Sequence, residues 1–281
     1  MGIIDGKMVA SQIKENITTE VQSLKKKTGK TPGLAVVLVG DDPASAVYVR
    51  NKNKTCNNIG FQSFENILPA NTSESELLNL IHELNNDEKV NGILVQLPLP
   101  NHIASNKILE AINPQKDVDG FHLENVGRLV TGHSLFKPCT PAGIIKLLDK
   151  YDVEIEGKNA VIIGRSNIVG KPVAFLLLER NATVTICHSR TKNLSNFARS
   201  ADILIAAIGK PNFVTADMVK DSSVVIDVGI NHLAGKLVGD VDFSAVLKKA
   251  SLITPVPGGV GPMTIAMLMS NTVKAAEMSF D

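Results

Sequence analysis

Short apolar runs alternate with amphipathic stretches along this chain, and the alternation reads as a series of elements. Val9, Ile13, Ile17, Val21 and Leu24 recur at helical spacing, and Gly29 is a natural stop. LAVVLVG (34–40) is short, branched and closed by glycine, as a buried strand is. The pattern then predicts a helix over about 44–58, ended near Gly60, and a strand near 61–68. Ser73 followed by Glu76 is a capping-box spacing for a helix reaching about Asn86. GILVQLPLP (92–100) reads as a further buried strand running into a proline-punctuated loop, followed by a helix near 103–112 and the irregular stretch NPQKDVDGFH.

PCTPAG (138–143) breaks this series and opens a helix, after which the alternation restarts. NAVIIG (159–164) is a strand ending in glycine, and a helix over about Gly170–Arg180 tolerates Pro172 in its first turn. ATVTICHS, a helix near 193–199, DILIAAIG, a short helix and SVVIDVGIN continue the pattern. SLITPVP is the last strand and leads through GGVGP to an apolar helix over 262–279. Continuous apolar strands alternating with helices imply parallel sheets covered on both faces. The fold class expected is therefore α/β, with two α/β domains, the second Rossmann-like, and a cleft between them. The partition expected is 1–140 plus 265–281 for the first domain, because the last helix returns to it, and 141–264 for the second.

The composition narrows the possible functions. The chain has 281 residues, 44% of them hydrophobic, enough for two cored domains. Its 29 basic and 28 acidic side chains leave a net charge of +1, so no global field draws it to nucleic acid or to a membrane surface. Nine Phe, two Tyr and no Trp offer few stacking platforms for single strands. No apolar run approaches the ~20 residues of a membrane span. The start, MGIIDGKMVASQIKEN, lacks a signal pattern, and Cys56, Cys139 and Cys187 stand far apart without a CxxC pair. These features lead to the expectation of a cytoplasmic protein with free thiols and no metal site.

The candidate chemistry lies where strands end, which is where open parallel sheets bind ligands. VIIGRSNIVGKP (161–172) is a strand, a glycine loop and a helix start, although it is not a GxGxxG. Gly164 suits the tight turn, and Gly170 suits close packing at a helix N-terminus that attracts phosphate. The next strand ends in CHSRT (187–191), with no carboxylate to meet a ribose hydroxyl. If a dinucleotide binds here, His188, Ser189, Arg190 and Arg165 can instead bond a 2′-phosphate, which favours NADP over NAD; the alternative is an ordinary strand-to-helix turn with Arg190 a solvated helix-start residue. Tyr48 and Lys52 share a helix face. Such a pair is commonly surface packing. YxxxK also occurs in short-chain dehydrogenases, but there it follows the glycine loop, whereas here it precedes it. Gln96 ends a buried strand and needs a partner. Asp117 and Asp119 fit turn chemistry before Gly120 as readily as a ligand site. TPVPGGVGPMT (254–264) allows a ligand close to the backbone or serves as a stiff connection.

Together the strings YVRNKNKTC, VQLPLP, KDVDGFH, KPCTPAG, GRSNIVGKP, ATVTICHSRT, DVGIN and TPVPGGVGPMT closely resemble the methylenetetrahydrofolate dehydrogenase/cyclohydrolase (FolD) family over essentially the whole chain. The resemblance implies NADP-dependent oxidation of 5,10-methylenetetrahydrofolate to the 5,10-methenyl form, then hydrolysis to 10-formyltetrahydrofolate at the same site. It implies Lys52 as the key catalytic residue, oriented by Gln96, with Tyr48 against the aminobenzoate ring and Asp119 anchoring the pterin. It implies Pro257, Gly258, Gly259, Val260, Gly261 and Pro262 as the wall of the pterin site. It implies cofactor contacts from Thr140, Gly164, Arg165, Ser166, Ser189 and Ile230, with His188 and Arg190 matching less diagnostically. A homodimer is also implied. Three other readings remain open: an enzyme of this kind with only one of the two activities, against which intact Lys52, Gln96 and Asp119 argue; an amino-acid or shikimate-type dehydrogenase, against which VQLPLP and PGGVGP argue; and a non-catalytic NADP-sensing module.

Overall fold

The computed structural model describes residues 2–280, with position 44 by its backbone alone. The chain runs β1 (Gly2–Ile3), α1 (Gly6–Thr28), β2 (Gly33–Val39), α2 (Pro43–Ile59), β3 (Gln62–Leu68), α3 (Glu74–Asn86), β4 (Gly92–Val95), α4 (Ser105–Ala111), α5 (Leu123–Val130) and α6 (Cys139–Lys150). It continues through β5 (Asn159–Ile163), α7 (Gly170–Glu179), β6 (Thr183–Cys187), α8 (Leu194–Arg199), β7 (Ile203–Ala206), β8 (Val224–Asp227), β9 (Asn231–Leu233), β10 (Lys236–Val238), α9 (Phe243–Val246), β11 (Leu252–Ile253) and α10 (Val260–Phe280).

The chain divides into two compact units. One comprises Gln12–Cys139 with the C-terminal segment from Leu268; the other comprises the N-terminal segment through Ser11 with Thr140–Met267. The expected partition gave the whole N-terminus to the first domain, and this is corrected. β1 pairs in parallel with β11, Gly2 opposite Leu252 and Ile3 opposite Ile253, so the first residues complete the other unit's sheet. A two-residue strand carries no periodicity, and only its non-local ladder reveals it.

In the first unit the sheet order is β3-β2-β4, all parallel. All seven residues of β2 are buried. β2 packs in a core with Leu77, Ile81 and Leu84, the inward stripe of α3. The capping box forms as the spacing predicts: Glu76 N–H donates to Ser73 Oγ and Ser73 N–H to Glu76 Oε2. The strand expected over 92–100 stops at Val95, because Pro98 and Pro100 have no N–H to give a ladder. Helix α5 lies in a stretch from which the pattern predicted no element. It is eight residues long and buries only Asn125 and Leu129, too brief a stripe to read.

In the second unit six strands take the order β1-β11-β8-β7-β5-β6, again parallel throughout. Strand order reverses at β5: the chain moves first outward to β6, then back past β5 to β7. The corresponding reversal in the small sheet is at β2, between β3 and β4. In open parallel sheets the crevice at such a switch point is the preferred ligand position. The last strand of the second unit is again shorter than expected, with Pro255 and Pro257 following β11. A hairpin, β9–β10, stands apart from both sheets. Among the described residues no helix is long and apolar enough to cross a membrane.

Candidate active site

The switch point of the small sheet gathers four of the expected residues. α2 follows β2 and carries Tyr48 and Lys52, one turn apart. Gln96 leaves the end of β4, on the other side of the reversal. Lys52 Nζ donates to Gln96 Oε1 at 2.9 Å, and Gln96 Nε2 donates to the Leu97 carbonyl at 2.7 Å, which fixes the amide's orientation. The KDVDG segment runs beside β4: Ile93 N–H donates to the Lys116 carbonyl, and Ile93 bridges to Asp117 in parallel. That pairing brings Asp119 into the field of Lys52.

The two aspartates of that segment separate cleanly. Asp117 is buried and does the turn chemistry, accepting N–H groups from Phe121 at 3.2 Å and His122 at 2.8 Å and the Asn125 amide at 2.8 Å. Asp119 is left for other work. It is half-buried, and its carboxylate interacts with Lys52 and the Cys139 thiol.

Electrostatics follow from burial. Lys52 is only 7% exposed, and burial pushes its ammonium below the usual lysine range, with Asp119 the main opposing influence. Burial pushes Asp119 up from its ordinary value, and the Lys52 charge pulls it back. The Tyr48 phenol is pushed up by burial, so it stays neutral at pH 7 and is no base. Cys56, one turn beyond Lys52, is pushed up to about 12 by burial and remains a thiol. Lys52 is thus the group in this cluster whose proton is loosened.

Two contributors escaped the sequence reading. Cys139 is buried beside Asp119 and donates to the Val118 carbonyl. Asn271 of α10 donates to the carbonyls of Val118 at 2.8 Å and Lys137 at 3.0 Å, clamping the loop that presents Asp119. An asparagine inside an apolar helix was the available signal, since a buried amide must find partners.

The expected cofactor residues lie in the second unit, and all but Thr140 and Ile230 sit at its switch point. Gly164 leaves β5 with φ +132°, and a Cβ there would stand 2.2 Å from the Ala207 carbonyl oxygen. A Cβ on Gly170 would stand 2.4 Å from the Gly164 carbonyl oxygen, so the turn and the start of α7 close on each other only without side chains. Arg165 and Ser166 are exposed on this turn, and Ser166 Oγ accepts the Val169 and Gly170 N–H groups. Next door, β6 delivers His188, Ser189 and Arg190, with Ile163 paired to Cys187 in register. Ser189 and Arg190 are exposed, while His188 Nδ1 accepts the Arg190 N–H. Thr140 bonds Thr264 at 2.8 Å, and Ile230 follows β8, 45% exposed. An exposed set of arginines and hydroxyls without a carboxylate at the end of β6 fits a phosphorylated dinucleotide.

The loop from Pro257 to Pro262 has a local explanation in part. A Cβ on Gly259 would stand 2.6 Å from the Pro255 carbonyl oxygen, and a Cβ on Gly6 1.8 Å from that of Gly259, so this backbone packs on the N-terminal segment. Gly261 has nothing within 4 Å of its Cβ position, and Val260 is buried at the start of α10.

Two family models match this chain. "Tetrahydrofolate dehydrogenase/cyclohydrolase, catalytic domain" covers residues 4–119, and "Tetrahydrofolate dehydrogenase/cyclohydrolase, NAD(P)-binding domain" covers 138–280. The chain belongs to the tetrahydrofolate dehydrogenase/cyclohydrolase family. Among members of this family, the bifunctional protein FolD of Campylobacter hominis is 60% identical over 278 residues, 99% of this chain and 98% of that one. The bifunctional FolD methylenetetrahydrofolate dehydrogenase/cyclohydrolase of Campylobacter jejuni, solved by crystallography, is 55% identical with a TM-score of 0.97, covering 99% of each chain. The Trypanosoma brucei family member, solved with NADP cofactor and an inhibitor, is 40% identical with a TM-score of 0.95, covering 99% of this chain and 97% of that one.

Proposed function

We propose that this chain oxidises 5,10-methylenetetrahydrofolate to 5,10-methenyltetrahydrofolate with NADP and hydrolyses that product to 10-formyltetrahydrofolate. The observation that carries this reading is the Lys52–Gln96–Asp119 cluster at the end of β2 and β4, in a chain of this family. Bound NADP supplies the hydride acceptor. The carbon that gives up hydride becomes cationic, stabilised by its two folate nitrogens, so the chain's task is chiefly placement. Asp119 is suited to accept the amide and amino N–H groups of a pterin. Tyr48, neutral and half-buried, is suited to pack against the aminobenzoate ring.

Hydrolysis needs a water deprotonated beside the cationic carbon and a proton returned later. Lys52 is the residue suited to both, its pKa lowered by burial and its Nζ held by Gln96. In the second unit Gly164, Arg165, Ser166, His188, Ser189, Arg190, Thr140 and Ile230 are the residues we assign to NADP, with Arg165 and Arg190 meeting its 2′-phosphate.

We also propose a cytoplasmic homodimer supplying formyl groups to purine synthesis. Three buried free thiols support the compartment. β6 is an edge strand, and Ile186 on it and Leu178 on α7 are exposed, an apolar margin that a second copy would cover. Sedimentation velocity reads the oligomeric state directly.

The decisive assay mixes purified protein, 5,10-methylenetetrahydrofolate and NADP and follows NADPH and methenyl absorbance together. NADPH formation with little methenyl accumulation, and 10-formyl product recovered, is the expected result. Lasting stoichiometric methenyl would remove the hydrolytic half, and no reduction of NADP or NAD would overturn the reading.

A further inference from the structure

Two aspartates outside the expected site residues are buried at the carboxyl ends of the second unit's strands. Asp240 has no exposure and Asp227 3%. Buried carboxylates need donors around them, and here the donors are loop amides. Asp240 Oδ2 accepts N–H groups from Ile208 at 2.7 Å and Gly209 at 3.0 Å. Its Oδ1 accepts the Lys210 N–H at 2.8 Å and the Asn231 side-chain amide at 2.9 Å. Three consecutive amides turned onto one anion form a nest, and the chain fills this one with its own carboxylate.

Asp227 holds the holder. At the end of β8 it accepts N–H groups from Gly229 and Asp240 on Oδ1 and from Val241 on Oδ2, at 2.8–3.0 Å. The packing leaves no slack: a Cβ on Gly229 would stand 2.2 Å from Asp240 Oδ1, and one on Gly239 1.8 Å from Asp227 Oδ2.

One of the braced loops borders the switch point, and the other leaves the next strand of the sheet. Residues 207–210 leave β7, whose neighbour is β5. Ala207 N–H donates to the Ile163 carbonyl at 2.8 Å, and the Ala207 carbonyl is the group that forbids a side chain on Gly164. Residues 228–231 leave β8 and carry exposed Ile230. Asp240 therefore ties together the two loops on one side of the Gly164 turn, from a position closed to solvent.

We propose that Asp240 is a positioning residue for NADP in the oxidation, holding 208–210 and Asn231 in their binding geometry without touching the cofactor. This rests on the reading that a dinucleotide occupies the ends of β5 to β8. Loops ordered before binding cost less to order on binding. Hydrolysis of the methenyl compound consumes no cofactor, so the two activities report separately on this brace.

The test compares wild type with Asp240→Asn, which turns an NH2 group toward N–H donors, and with Gly229→Ala, which displaces the carboxylate while keeping its charge. NADP affinity is read by titration calorimetry, the NADP KM in the dehydrogenase assay, and hydrolysis with added 5,10-methenyltetrahydrofolate and no cofactor. Both variants should weaken NADP binding and raise its KM about tenfold while hydrolysis stays within about twofold. Unchanged NADP affinity in folded Asp240→Asn overturns the proposal, and so does a parallel loss of both activities in the two variants, which would mark a residue needed only for folding. Failure of wild type to bind NADP at all would instead strike the underlying reading.

Discussion

At the scale of single residues, the role proposed for Lys52 turns on the state of its amine. A free lysine has a pKa near 10.4, so roughly one in a thousand or fewer is neutral at pH 7, too few for an effective base. Burial lowers the Lys52 value, and Asp119 limits how far. The neutral fraction increases with pH up to that lowered value. Enzymatic hydrolysis, corrected for the uncatalysed reaction, should therefore climb with pH to a midpoint below the ordinary 10.5. Lys52→Met keeps an unbranched chain and removes the amine. It should cut hydrolysis on the order of 100-fold or more, while NADP titrates as in wild type; full hydrolysis in that variant would refute the role. Arg190, exposed at the end of β6, is the residue expected to tell NADP from NAD. Arg190→Ala should weaken NADP about tenfold and leave NAD affinity as it was, and equal losses for both cofactors would argue against a 2′-phosphate contact. At this scale the sequence was informative about residue types and less so about roles. DVDG contains two aspartates, and their hydrogen-bond environment, not their identity, makes Asp117 a turn anchor and leaves Asp119 available.

At the scale of elements, local chemistry and close approach make different demands. The Ser73–Glu76 capping box satisfies donors that α3 leaves open, and it was legible because it depends on residues three apart. Ser73→Ala should cost about 1 kcal/mol in urea unfolding with folate and NADP KM unchanged, since α3 contributes core residues and none assigned to the site. α7 is constrained instead by a contact across the turn. Gly170→Ala places a methyl 2.4 Å from the Gly164 carbonyl oxygen, so the helix must withdraw. That variant should lose about 1–3 kcal/mol of stability and bind NADP more weakly, and normal NADP affinity would show that the turn need not close to bind. Periodicity identified the long helices well. It overran the strands past Val95 and Ile253, into segments where prolines soon interrupt the ladder, and it passed over α5, whose buried stripe is two residues.

At the scale of the whole molecule, buried carboxylates link folding to pH. Burial pushes Asp227 up to about 6, the Asp240 charge adds to this, and three backbone N–H groups offset part of it. Its ordinary value is 3.8, so the folded chain holds this proton more tightly than the unfolded one. The sign follows: the contribution to stability is full below about 3.8 and is lost as pH rises through about 6, a total of roughly 3 kcal/mol. Asp227→Asn is neutral throughout. Between pH 4.5 and 7.5 wild type should therefore lose about 2 kcal/mol relative to that variant in urea unfolding, and a difference that does not change with pH would remove Asp227 from the titration.

Short-range physics is legible along the chain: helices from apolar spacing, buried parallel strands from unbroken branched runs, caps from paired side chains, and a strand end without a carboxylate at Cys187–Thr191. The family's strings located Lys52, Gln96 and Asp119 as candidates. It took the folded chain to reveal that the N-terminal residues complete the second sheet, that Asn271 clamps the Asp119 loop, and that Asp227 and Asp240 brace the loops that follow β7 and β8. Each of those is a backbone ladder or hydrogen bond between distant segments. Such bonds depend on where the chain returns in space, and a residue's neighbours in sequence carry no record of that.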